Sequence, residues 1–180
     1  MPTPLAYFIT FTTYGTWLHG RDPGSVDTDH NEPHTPFLPG DPKTEQDMRD
    51  QMTQPEYRLE GDRRAVVLQT VLEVARHRGW QVWAIHVRSN HVHMIITAPT
   101  TPEKVMSDVK AWTSRRLREA FGESADRRRW TEHGSTRYVW TESVLADKIA
   151  YVVEGQGIPM AVYDSRVVDD EDEIPTDFGF

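Results

Sequence analysis

Two short alternating segments joined by three turn-forming residues constrain this chain most. Trp80–Val87 sets Trp83, Ile85 and Val87 on one side, and His91–Ala98 sets Val92, Met94, Ile96 and Ala98 on one face. Arg88-Ser89-Asn90 between them has the composition of a turn, so the two segments predict an antiparallel hairpin with one apolar face. A lone hairpin is marginal in water, so this one must be covered by other elements.

Those elements are legible on both sides. Asp62–Arg78 repeats Val67, Val71, Val74 and Ala75, joined by Leu68 and Leu72, at helical spacing, and Gly79 supplies a stop. Thr101-Pro102-Glu103 has the cap, first-turn proline and early acid of a second helix, whose stripe is Met106, Val109, Thr113, Leu117 and Ala120 and which ends at Gly122. Leu5–Tyr14 and Ser135–Trp140 read as strands, and Thr141-Glu142 opens a final helix to Glu154 or Gly155. The order strand, helix, strand, strand, helix, strand, helix predicts an α+β fold: a ferredoxin-like split βαβ antiparallel sheet with helices on one face, the other face free, and an added C-terminal helix.

The expected domain runs over 1–163, with a Pro-, Gly- and His-rich loop insertion at about 20–57 that holds a short helix near Thr44–Met52. Residues 164–180 form an acidic tail expected to be disordered. The absence of cysteine excludes disulfides and thiolate metal sites. Met1-Pro2-Thr3-Pro4-Leu5 lacks the basic and apolar regions of a signal peptide, and no apolar run has membrane-span length, so a soluble cytoplasmic protein is expected.

A net charge of −8 argues against a nucleic-acid partner, but the charge is segregated. Acids crowd Asp169–Glu173, whereas Lys104, Lys110, Arg115, Arg118, Arg127, Arg128 and Arg129 concentrate in one stretch with Trp112 and Trp130. Arg116 falls inside the apolar stripe of its helix and must reach past it to a carboxylate or a phosphate.

His91 and His93, two residues apart, project together from the strand face opposite Val92, Met94 and Ile96, where they can share one divalent cation. In the final helix Leu145, Ile149 and Val152 define the apolar stripe, and Tyr151 lies with Asp147, Lys148 and Glu154 on the polar side. Val87-Arg88-Ser89-Asn90-His91-Val92-His93, Tyr7-Phe8-Ile9-Thr10-Phe11, Trp140-Thr141-Glu142 and Tyr151–Gln156 together resemble the single-tyrosine HUH transposases, especially REP-associated tyrosine transposases, over roughly Ala6–Gln156.

The resemblance implies that Tyr151 attacks a DNA phosphodiester, leaving a 5′-phosphotyrosine link and a free 3′-hydroxyl. It implies Mg²⁺ or Mn²⁺ on His91 and His93 (imidazoles also admit zinc), and hairpin-forming single-stranded DNA as partner, handled by a monomer or a homodimer. The phosphate contacts would come from Lys104, Lys110, Arg115, Arg118, Arg127, Arg128 and Arg129, with Trp112 and Trp130 available for stacking.

Family members carry a third metal ligand, an amide, four residues after the tyrosine, where this chain has Gly155. On an ideal helix Glu154 lies about 60° around from Tyr151 and Gln156 about 140° away. A helix stop at Gly155 would swing Gln156 back, so Gln156 is favoured by amide chemistry and Glu154 is held in reserve. Two other readings stand beside this one: a domesticated hairpin-binding protein without catalysis, and a small hydrolase using His30, His34, His91 and His93.

Overall fold

The computed structural model describes residues 2–16 and 42–167. Most of the predicted loop insertion, with His30 and His34, and the acidic tail from 168 onward lie outside the described residues.

The elements are β1 (Ala6–Thr12), α1 (Pro42–Asp50), α2 (Gly61–Arg78), β2 (Gln81–Val87), β3 (His91–Thr97), α3 (Pro102–Phe121), β4 (Ser135–Val139), α4 (Glu142–Glu154) and β5 (Ala161–Asp164). They build one five-stranded sheet in the order β4-β1-β3-β2-β5. β3 lies between β1 and β2 and is antiparallel to both, which is the split βαβ arrangement expected. Thr101 Oγ1 accepts from Lys104 N–H to open α3, and Gly79 and Gly122 close α2 and α3 at φ 71° and 62°, a conformation costly for any residue with a Cβ.

Alternation divides the sheet into two apolar layers. Tyr7, Ile9 and Phe11 of β1 and Val92, Met94 and Ile96 of β3 pack under Val67 and Val71 of α2 and Val109 and Leu117 of α3, with Tyr57 and Leu59 closing the layer. Ala120, expected in the α3 stripe, is exposed. Ala6, Phe8, Ala84, Ile95 and Val139 point the other way and are covered by Leu145, Ile149 and Val152 of α4. Burying those three α4 side chains contributes at most about 5–9 kcal/mol to docking the helix.

The second sheet face is therefore not free, as the sequence pattern predicts, but half-roofed by α4. Two further differences follow from features without a local signature. A register shift between Val82 and Ala84 turns Trp83 away from Ile85 and Val87, so it packs against the α4 layer and donates Nε1–H to Thr97 Oγ1 at 2.9 Å. β5, absent from the predicted order, pairs antiparallel with β2 and ends at Asp164, a buried carboxylate bound by Arg166.

Candidate active site

The α4-facing side of the sheet brings His91, His93, Tyr151 and Gln156 together. The rings of His91 and His93 have centroids 4.7 Å apart, and the Tyr151 ring is 5.9 Å from that of His93. Phe8 forms the floor, stacked on His93 at 5.7 Å and edge-on to Tyr151 at 6.0 Å. Tyr151 is 45% exposed, as its place off the apolar stripe requires.

Both imidazoles are oriented through Nδ1. His91 Nδ1–H donates to Asn90 Oδ1 at 2.6 Å, and His93 Nδ1 is hydrogen-bonded to Thr10 Oγ1 at 2.7 Å. Each ring keeps Nε2 as its other donor atom, the usual division of labour in metal-binding histidines. Burial first, then the charge of Arg88, pulls the His91 pKa down to about 4. Burial first, then His91, pulls His93 down to about 3. Both rings are neutral at physiological pH and carry the lone pair a cation needs.

The amide of Gln156 lies close enough to hydrogen-bond both imidazoles, which partly offsets the effect of burial on each. It also donates Nε2–H to Tyr151 O at 3.2 Å. Gly155 explains how an amide five residues after the tyrosine reaches this point. Its N–H donates to Tyr151 O at 3.0 Å, and a Cβ there would lie only 2.7 Å from that same oxygen. The position four residues after Tyr151 is thus closed to a side chain, and the chain turns to offer the next one. Glu154, the reserve ligand, points elsewhere, into an ion pair with Arg166 at 3.0 Å.

Among the described residues no group of three His, Asp or Glu side chains is arranged to hold a metal. The donor set is two neutral imidazoles and an amide. That set, with each Nδ1 already engaged, fits a divalent cation.

A third histidine escapes sequence reasoning. His86, fully buried beside His93 in the β2–β3 register, donates Nδ1–H to Val152 O at 2.9 Å and accepts from Met160 N–H at Nε2 at 3.0 Å. It ties the last turn of α4 and the chain leading to β5 onto the sheet.

The predicted DNA-binding cations are placed differently. α3 packs on the opposite sheet face, and most of its charges have partners within the chain. Lys104 pairs with Asp108, and Arg115 with Glu119 at 3.0 Å. Lys110 Nζ donates to the carbonyls of Thr131 at 2.8 Å and His133 at 3.1 Å, a structural clamp. Arg129 is buried against Glu123 at 3.0 Å, and Arg127 donates to Gln54 Oε1 and Glu56 O. Arg118 and Arg128 are exposed, the latter over the Tyr14 ring. Trp130 packs edge-on to Phe11 at 4.9 Å and donates to Thr113 Oγ1, so it is no free stacking platform, whereas Trp112 is partly buried under Arg115. Arg116 reaches the buried carboxylate of Glu73 at 3.6 Å, one of the two destinations open to it.

Among the described residues no helix is long and apolar enough to cross a membrane. Among curated proteins none matches the sequence significantly. The structure is similar to a REP-associated tyrosine transposase solved with a REP hairpin, with a TM-score of 0.45 and 12% identity, covering 85% of this chain and 66% of that one. This chain thus spans just under two thirds of that protein's length. A candidate transposase from Deinococcus radiodurans R1 is similar with a TM-score of 0.43 and 14% identity, covering 84% of this chain and 91% of that one. The family model for IS200-like transposases matches residues 52–153, a segment that contains His91, His93 and Tyr151 and stops just short of Gln156. Since that match spans more than half of the 180 residues, the chain belongs to the IS200-like transposase family.

Proposed function

We propose that this protein is a metal-dependent enzyme that nicks and rejoins single-stranded DNA at hairpin-forming sequences, with Tyr151 as nucleophile. The observation that carries this reading is the exposed Tyr151 ring, 5.9 Å from His93, on the sheet face where Gln156 joins both neutral histidines.

Tyr151 Oη forms a bond to the phosphorus of one phosphodiester, and the bond from phosphorus to the 3′-oxygen breaks. The phenol loses its proton, the departing 3′-oxygen gains one, and the strand on the 3′ side of the cut stays attached to the tyrosine through its 5′-phosphate. One phosphodiester is exchanged for another, so no external energy source is required, and attack by a 3′-hydroxyl reverses the step.

His91, His93 and Gln156 would hold Mg²⁺ or Mn²⁺, which supplies Lewis-acid stabilisation of the negative charge that develops on the phosphoryl oxygens. Asn90 and Thr10 fix the two imidazole planes, His86 holds the last turn of α4 in place, and Phe8 supports the tyrosine ring from below.

The test is incubation with a hairpin-bearing single-stranded oligonucleotide, with and without Mn²⁺, followed by a denaturing gel. A covalent protein–DNA band that needs the cation and disappears in Tyr151→Phe, with hairpin binding retained, is the expected result. Binding with no band in the parent protein would instead select the non-catalytic hairpin binder. Undiminished cleavage by Tyr151→Phe would remove the tyrosine from its role.

A further inference from the structure

Arg137 and Lys148 differ from the cations of α3 in both place and pairing. Among the described residues neither meets a carboxylate, whereas Lys104, Arg115, Arg116 and Arg129 all do. Both belong to the side of the sheet that carries the histidines. Arg137 lies directly opposite Phe8 in the β1–β4 register, and cross-strand partners project to the same face. Lys148 stands one turn before Tyr151 on α4, with Nζ 5.2 Å from the centre of the Phe8 ring and 5.7 Å from that of Tyr151.

Along this face the order is therefore His91, His93, Tyr151 with Lys148 above Phe8, then Arg137 at the β4 edge. The histidine end supplies two neutral imidazoles and the Arg88 guanidinium, which donates to Ile158 O at 3.0 Å. The opposite end supplies two positive charges. A DNA strand laid over Tyr151 carries a charged phosphate at every nucleotide, and a chain of net charge −8 repels it unless local cations answer those charges.

We propose that Lys148 and Arg137 bind the phosphodiester backbone of the strand that Tyr151 attacks, on the Phe8 side of the tyrosine and away from the histidine pair. The inference rests on the nicking reading above. It moves the strand's electrostatic track from α3, on the far side of the sheet, to the edge formed by β4 and α4. The Lys148 ammonium lies over the Phe8 ring and beside Tyr151, without a salt bridge among the described residues that a phosphate would have to displace.

The experiment uses the full chain carrying Tyr151→Phe, so that binding is measured without cleavage. A fluorescent single-stranded oligonucleotide with a hairpin is titrated at a series of salt concentrations. Lys148→Met and Arg137→Met should each reduce the slope of log affinity against log salt by about 0.7, and together by about 1.4, the value for one and two lost contacts to a single strand. Lys148→Arg should keep the parental slope, and Lys104→Met and Arg115→Met should leave it unchanged. Thermal unfolding of each variant, with Lys148→Gln as a second replacement, separates lost contacts from lost fold. An unchanged slope in the folded Lys148→Met/Arg137→Met protein overturns the proposal, as does a reduced slope in the two α3 variants instead. If the Tyr151→Phe protein shows no salt-dependent binding at all, the nicking reading fails first and takes this inference with it.

Discussion

Replacing Gly155 with asparagine tests the geometry of the candidate site most directly, because sequence comparison and structure predict opposite results. By family resemblance, an amide four residues after the tyrosine should complete the metal site. In this structure a Cβ at position 155 lies 2.7 Å from Tyr151 O, closer than such atoms approach, and 3.1 Å from the Tyr151 ring, which would have to give by a few tenths of an ångström. The backbone at Gly155, φ −86° and ψ 6°, is open to any residue, so the obstacle is space and not torsion. The oxygen in the way is backbone and accepts from Gly155 N–H at 3.0 Å and Gln156 Nε2–H at 3.2 Å, so moving it disturbs two hydrogen bonds. Overpacking of this kind costs about 1–3 kcal/mol. For a domain of this size that lowers Tm by about 2–12 °C.

The functional arm uses Mn²⁺ affinity measured by calorimetry. Gln156→Ala should weaken binding at least about tenfold, since loss of even an outer-shell partner costs that much. Adding Gly155→Asn to Gln156→Ala should not restore it. A Gly155→Asn protein that melts with the parent and recovers Mn²⁺ binding in the Gln156→Ala background would refute the claim that position 155 is closed.

His86→Leu leaves Val152 O and Met160 N–H without their buried partner and should cost about 2–5 kcal/mol in urea unfolding, with loss of the covalent DNA band at temperatures where the protein is still folded. Arg129→Met removes one partner of Glu123 and leaves Arg63 at 3.3 Å and Tyr57, so it should destabilise by about 1.5–3 kcal/mol, while hairpin affinity of the folded protein stays at the parental value, the reverse of what a phosphate contact would do. Although burial works the other way, hydrogen bonds from Arg129 and Tyr57 hold the Glu123 carboxyl below its ordinary pKa. The folded state then binds fewer protons than the unfolded one as pH falls from the ordinary carboxylate value towards the folded one. Glu123 should therefore contribute stability above that window and lose it through it. The acid limb of the stability curve should be shallower in Glu123→Gln, and an unchanged limb would count against the ion-pair account.

The parts of the fold written in alternation were legible. Val92, Met94 and Ile96 on one side of a strand force His91 and His93 to the other, and Tyr151 lies outside the Leu145–Ile149–Val152 stripe whatever the tertiary context. The pairs Lys104–Asp108 and Arg115–Glu119 were available from four-residue spacing, which a count of positive charge along α3 leaves out. Other features depend on neighbours distant in sequence. Alternation sets His86 opposite Ile85 and Val87, but its partners come from α4 and the segment before β5. Ala161–Asp164 is too short to carry a period of two, and it becomes a strand because the edge of β2 is there to receive it. That Gln156 reaches the imidazoles while Glu154 pairs with Arg166 goes with the crowding at Gly155, which sequence spacing alone does not contain.

α4 leaves β4 at one border of the sheet and delivers the chain to β5 at the other, so it crosses the whole face like a belt buckled on both sides. A belt fastened this way sets Tyr151 over the imidazoles of its own chain. Trading it with a second copy would mean unbuckling β5 from β2, freeing Val152 O from His86 and lifting Leu145, Ile149 and Val152 out of their layer together. On the nicking reading proposed above, a strand end joined to Tyr151 would stay beside the histidines of the same chain for as long as this edge stays paired.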